Sequence, residues 1–382
     1  MNYTPREMIE TLVAIPTVSR DSNLACIDFV RDYLDSYGVA SHLVQSPDAP
    51  KANLFATVGP MVPGGVVLSG HTDVVPVDDQ DWDSDPFRVE ERDGRLYGRG
   101  TSDMKSFYAI ALALLPEMGG LKRPIHFALS YDEEVGCLGA PALIESLTTA
   151  VPTPQAVIVG EPTMMRVVSA HKSIFHFRTR VTGHEAHSSQ PHRGVSAVMV
   201  AARLINWIHE RQRRNAAEAD PACGFEPPYT SMHCGVVRGG TAANIMAHHC
   251  EFMTDIRSVP GEDANTYFAE LEAFARDVVE PEMRAIAPGT GIEFRVNAEV
   301  PSFRSSDDEP AVALVKRLTG QNEVEAVSYG AEAGQFQAAG HSVVMCGPGS
   351  IDQAHQPNEF ISLEQVTAGT AFMRRLIGYL SN

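Results

Sequence analysis

The sequence predicts an α/β protein in which a smaller α+β lobe interrupts one larger domain. Three observations lead there. Apolar β-type segments alternate with helical ones through the first half, simple strand alternation takes over near residue 172, and βα order returns after about residue 303. Strand–helix–strand alternation implies a largely parallel sheet with helices on both faces. The expected boundaries are 1–173 and 303–382 for the two parts of the large domain, and 174–302 for the lobe.

The elements follow in order. Residues 22–37 carry apolar side chains at helical spacing. VVLSGHTDVV (66–75) reads as a buried strand between Gly64–Gly65 and Pro76. Residues 103–118 form a second helix, PIHFALSY (124–131) a second strand and QAVIVG (155–160) a third. Residues 172–183 alternate, with Ile174, His176, Arg178 and Arg180 on one face and Phe175, Phe177, Thr179 and Val181 on the other. A helix over 196–215, strands near 231–238 and 247–257, a helix near 263–280 and a strand at 291–296 complete the lobe. HSVVMCGPGS (341–350) contains a last buried strand.

Bulk properties narrow the function. The chain has 382 residues, 44% hydrophobic and 20% charged, as in an ordinary soluble globular protein. Its formal net charge of −18 leaves no basic stripe for nucleic acid and disfavours an anionic membrane surface. No run of about 18 apolar residues is available to span a bilayer. The N-terminal residues mix Arg6, Glu7 and Glu10 into an amphipathic pattern, which is not a secretory signal, so a cytoplasmic location is expected. The six cysteines are scattered without a CxxC pair and read as reduced thiols.

The chemistry lies in five short motifs. They hold His71 (SGHTD), Asp103 (GRGTSDMKS), Glu133 and Glu134 (YDEEVG), Glu161 (VGEPT) and His355 (QAHQP). Two imidazoles, two terminal carboxylates, a shared carboxylate and a spare one make a donor set for a pair of divalent cations and a base. His71 and Asp73 leave one face of a strand, so Asp73 can take a hydrogen bond from the ring of His71. Asp103 opens a helix, where it is either an N-cap or a bridging ligand. Of the adjacent Glu133 and Glu134, one can face a cation and the other a reacting water. His71, Glu133–Glu134 and Glu161 all fall at strand ends, where sites in such sheets gather. A metal-dependent hydrolase is the reading these residues support.

The ordered set GHTDVVP, GRGTSDMK, DEEVGCLGA, GEPT and GPGSIDQAHQP resembles the M20 metallopeptidase family of dizinc amidohydrolases, over nearly the whole chain. The resemblance implies a three-layer α/β/α catalytic domain and an inserted ferredoxin-like lid that also forms a homodimer. It implies two divalent ions, zinc with cobalt as a substitute: His71 and Glu161 on the first, Glu134 and His355 on the second, and Asp103 bridging. Asp73 would orient His71, and Glu133 would be the general acid/base. His187, in GHEAHSSQPHRGVSAV (183–198), would reach the partner subunit's site to stabilise the oxyanion. Asn244 and Arg257 would grip the substrate carboxylate. The implied substrate is a small N-acyl amino acid, foremost N2-acetyl-L-ornithine. The alternatives are succinyl-diaminopimelate, other N-acyl amino acids or dipeptides, or a catalytically inactive metal-binding module. Glu332, in SYGAEAGQF, is expected to pair with a substrate ammonium. Ser173 and Ser196 depart from the family's usual Gly and Asn.

Overall fold

The computed structural model describes residues 2–382. They form two compact units: residues 2–170 with Phe303–Ala326 and Ala331–Asn382, and His171–Ser302 with Val327–Gly330.

The larger unit is built on a nine-stranded sheet. Its centre is parallel, in the order Ile125–Ser130, Val66–His71, Ala156–Val159 and Val343–Met345. All four strands are buried from end to end, as near-continuous apolar runs with helices on both faces must be. The flanks differ from the largely parallel sheet that the sequence suggests. Ser41–Gln45 pairs antiparallel with Ala52–Val58, which pairs antiparallel with Ile125–Ser130. The link of residues 46–51 is too short for the crossover that parallel neighbours require. On the far side Val168–His171 runs antiparallel to Val343–Met345.

Two boundaries shift for local reasons. The strand expected over 66–75 stops at His71, because the chain then turns towards residues 17–19: Val74 N donates to Thr17 O (3.0 Å) and Ser19 N to Val74 O (3.1 Å). The helix after Asp103 spans Lys105–Ala113 and is buried on every side, so KSFYAIALA lies inside the core rather than over it.

The smaller unit is a four-stranded antiparallel sheet in the order Ser231–Gly239, His249–Arg257, Ile174–Thr182 and Gly291–Val300. Its chain order, strand–helix–strand–strand–helix–strand, is ferredoxin-like. Phe175, Phe177, Val181, Phe252 and Ile256 share the inner face and pack on Leu204 of the helix Ala197–Ala217 and Leu271 of Ala264–Phe274. The helix expected near 263–280 is broken by a π-helical turn at Ala275–Val279 and resumes as Glu280–Ile286. Pro281, near the start of the second piece, has no N–H for the regular ladder, which accounts for the break.

Gly160 shows how tightly the end of a central strand is packed. A Cβ there would lie 2.1 Å from the ring of Phe107. Gly160→Ala should therefore lower the unfolding free energy by about 1–3 kcal/mol, as overpacking does. Thermal melts of G160A and of the G160A/F107L double variant check this, and the double variant should recover part of the loss.

Candidate metal centre

The carboxyl ends of the parallel strands deliver the expected residues to one place. His71 ends its strand, Glu133 and Glu134 follow Ile125–Ser130, and Glu161 follows Ala156–Val159. The loop after Val343–Met345 brings in His355, which sits in the left-handed region at a φ of 63°. Donor atoms of His71, Asp103 and Glu161 lie within 4.8 Å of one another, and so do those of Asp103, Glu134 and His355. Asp103 belongs to both groups. Its Oδ1 is 3.0 Å from His71 Nε2 and its Oδ2 3.3 Å from His355 Nε2, which is also 2.9 Å from Glu134 Oε2. The N-cap alternative for Asp103 fails, because the cap position of the helix Lys105–Ala113 is Met104 and no side chain caps it.

The electrostatics of the two groups call for positive charge. Burial works against charge on His71, yet its hydrogen bond to Asp103 and the nearby Glu133 hold its pKa well above the ordinary value. Hydrogen bonds to Asp103 and Glu134 push His355 up to about 10. Burial opposes ionisation of Asp103 too, but His355 and His71 hold it below the usual carboxylate range. Burial, with Asp103 adding to it, pushes Glu134 up to about 7 and Glu161 well above the carboxylate range. Glu161 Oε1 is buried with no hydrogen-bond partner. An orphaned carboxylate oxygen among imidazoles and acids is what a dication site needs, so the residues fit a pair of such ions.

Other expected residues differ in detail. His71 Nδ1 donates to the main-chain carbonyl of Asp73 (2.8 Å), while the Asp73 carboxylate stands 3.7 Å away. That carboxylate instead accepts from Glu133 N (3.1 Å), Glu134 N (3.3 Å) and Ser19 Oγ (2.7 Å). Asp73 thus orients His71 through its backbone and the Glu133–Glu134 turn through its side chain. Glu332 is 1% exposed, and its two oxygens accept from Ser69 Oγ (3.0 Å) and Ser130 Oγ, so hydroxyls of two neighbouring strands already engage its carboxylate.

On the smaller unit, His187 is exposed and bridges to Ile245, beside Asn244, whose carbonyl accepts from Ser188 N at 3.0 Å. Ser189 N donates to His187 Nδ1 (3.2 Å), which leaves the proton of the neutral ring on Nε2. Arg257 is held by Asp255 (Nε to Oδ1, 2.9 Å) at the far end of His249–Arg257. At about 3.3 Å per residue, that strand sets Arg257 some 25 Å from His249, the end from which the chain leads back towards Asn244.

Three neighbours went unrecognised in the sequence. Cys137 Sγ donates to Glu133 Oε1 at 3.3 Å. Glu359 and Arg99 form an ion pair of 2.7 Å, with both side chains buried, under the loop that carries Asp103. Only the closeness of Glu359 to His355 in sequence could have drawn attention to it.

Comparisons with known proteins agree with this geometry. The family model for peptidase family M20/M25/M40 matches residues 67–379. An acetylornithine deacetylase of Proteus mirabilis is 34% identical over 381 residues, covering 97% of this chain and 95% of that protein. Among solved structures, an M20 family metallo-carboxypeptidase of Sulfolobus solfataricus superposes with a TM-score of 0.78 at 17% identity, over 99% of both chains. A dinuclear metal-binding M20 peptidase of Bacillus subtilis gives 0.62 at 16% identity, over 98% of this chain and 97% of that one.

The role of the Asp73 side chain is testable without any substrate. In Asp73→Ala the amides of Glu133 and Glu134 should exchange roughly tenfold faster or more, because a hydrogen bond to a charged acceptor contributes about 1.5–3 kcal/mol. Hydrogen exchange read by mass spectrometry checks this, with the amides of Ile125–Ser130 expected to stay as slow as before.

Proposed function

We propose, proceeding from the fact that this chain belongs to peptidase family M20/M25/M40, that it hydrolyses the acetyl amide of N2-acetyl-L-ornithine to acetate and L-ornithine, a step of arginine biosynthesis in the cytoplasm. The observation that carries hydrolysis is the pair of donor groups sharing Asp103, with a further buried carboxylate, Glu133, beside them. The acetylornithine substrate rests on relatives of about one-third identity that bear that name.

His71 and Glu161 would hold one divalent ion, Glu134 and His355 the other, and Asp103 both; zinc suits this donor set and cobalt can replace it. Bound there, such ions supply Lewis-acid polarisation of the amide carbonyl and make water a stronger acid. The chain's own residues do the rest. Burial, together with Glu134 and Asp103, raises the proton affinity of Glu133 above that of an ordinary carboxylate, and a general base works by accepting and returning a proton. The Cys137 thiol occupies Oε1, so Oε2 is the oxygen that takes the proton of the attacking water. The water oxygen bonds to the acetyl carbon, the C–N bond breaks, and Glu133 returns the proton to the departing amine.

His187 contributes from a second copy of the chain. Its Nε2–H is free to donate to the oxyanion, a contact typically worth about 3–4 kcal/mol. The outer strand Ser231–Gly239 has Val236 and Val237 exposed, and Ile245, Val198 and Met199 (68%) on the same unit are exposed too. An uncovered apolar edge strand is a pairing surface, which supports a homodimer. His187 and Asn244 adjoin, so one copy supplies both, and Arg257 takes the substrate carboxylate from the opposite end of its strand.

The burial of Glu332 favours a second reading, in which the same chemistry serves another N-acyl amino acid or a dipeptide, since no carboxylate is then assigned to the ornithine ammonium. Rates kcat/KM on N2-acetylornithine, succinyl-diaminopimelate, N-acetylmethionine and a dipeptide, with zinc- or cobalt-loaded enzyme, decide between the two. Preference for acetylornithine is expected, abolished by chelator and reduced about 10²–10⁴-fold in Glu133→Ala. A clear preference for another amide would replace the substrate and keep the mechanism. His187→Ala should lower kcat about 10²-fold or more with metal content unchanged; loss of metal in that variant would count against its role.

A further inference from the structure

Arg99 and Glu359 carry a second inference, which rests on the metal-centre reading above. Glu359 is wholly enclosed by the loop that precedes Asp103. Its Oε1 accepts from Gly100 N (3.1 Å), Ser102 N (2.8 Å) and Asp103 N (3.0 Å), and its Oε2 from Arg99 Nη1 (2.7 Å) and Gly100 N (3.1 Å). The loop is thus wound round one carboxylate, and the last amide it offers belongs to Asp103 itself.

The same network reaches His355. Arg99 Nη1 also donates to Gln356 O (3.3 Å), and Arg99 Nη2 to Gln80 Oε1 (2.6 Å). Gln80 Nε2 in turn donates to His355 O (3.0 Å), and Trp82 Nε1 fixes the amide through Gln80 Oε1 (3.1 Å). Ser102 and Ser350 tie the two loops again, Ser102 Oγ donating to Ser350 O (2.9 Å) and accepting from Ser350 N (3.0 Å).

We propose that Glu359, with Arg99, is a positioning residue that presets Asp103 and His355 for cation binding. Asp103 must aim one oxygen at each donor group, so a small rotation of its backbone breaks one contact. Fixing its amide nitrogen fixes that aim. Stability alone is a poor reason for the arrangement. A buried ion pair is often matched by apolar residues, and this one, though neutral as a pair, sets its carboxylate end beside Asp103. The carboxylate is retained because several converging amides need one acceptor with two oxygens.

Cobalt titration of metal-depleted, full-length protein tests this, with a competing chelator to set the affinity and the visible absorption spectrum to report ligand geometry. Glu359→Gln should weaken Co(II) binding about 10- to 100-fold, the usual effect of removing a ligand's hydrogen-bond partner, and should change the spectrum. Glu359→Asp keeps the charge but draws the oxygens back by one methylene, and it should weaken binding too. Should Glu359→Gln fail to fold, Glu359→Asp decides. A variant that melts at a lower temperature yet binds Co(II) with wild-type affinity and spectrum would reduce Glu359 to a structural role and overturn the proposal. Wild-type protein that binds no Co(II) would remove the metal centre itself, and the role of Glu359 with it.

Discussion

Negative charge crowded inside a protein must be balanced, and this constraint governs the structure around residues 71, 103, 133, 134 and 161. In a low-dielectric interior, like charges a few ångströms apart repel far more strongly than in water. The fold meets Asp103 and Glu134 with the imidazoles of His71 and His355, and the carboxylates next to them with main-chain N–H groups. Asp73 is met by the amides of Glu133 and Glu134, and Glu359 by those of Gly100, Ser102 and Asp103. Amides stabilise a carboxylate without bringing a full positive charge that would compete with a bound cation. The one guanidinium in the network, Arg99, is directed to Glu359 rather than to the donor atoms.

The parallel core makes such crowding possible. Its strands end together, so residues that are distant in sequence leave the sheet side by side. Glycine at position 160 and the fully buried helix Lys105–Ala113 let Glu161 and Asp103 come close behind that edge. The flanking antiparallel strands contribute breadth and cover but none of the donors.

Most of this was legible in the sequence where a short motif coincided with a strand end. His71, Glu133, Glu134 and Glu161 each follow an apolar run, and the structure brings them together. Asp103 was ambiguous, because an acid opening a helix is equally a cap, and only the three-dimensional position of His71 and His355 separates the two roles. The surroundings of Glu332 were not legible at all. Its partners Ser69 and Ser130 are 263 and 202 residues away, and nothing local shows that two strands will close on it. Arg257 and Asn244 share a motif-rich segment, yet an extended strand carries them apart. Glu359 stayed hidden because most of its partners are backbone amides, which leave no trace in residue identity, and its one charged partner, Arg99, is 260 residues away.

The long reach between Asp103 and Glu359 has a consequence for how the molecule comes into being. The two are 256 residues apart, with the whole smaller unit between them. A chain emerging from the ribosome exposes His71, Asp103, Glu134 and Glu161 long before His355 and Glu359 have been synthesised. Neither donor group is therefore complete until the strands and the late loop have folded together, so the site is a property of the whole larger unit and not of any one segment of it.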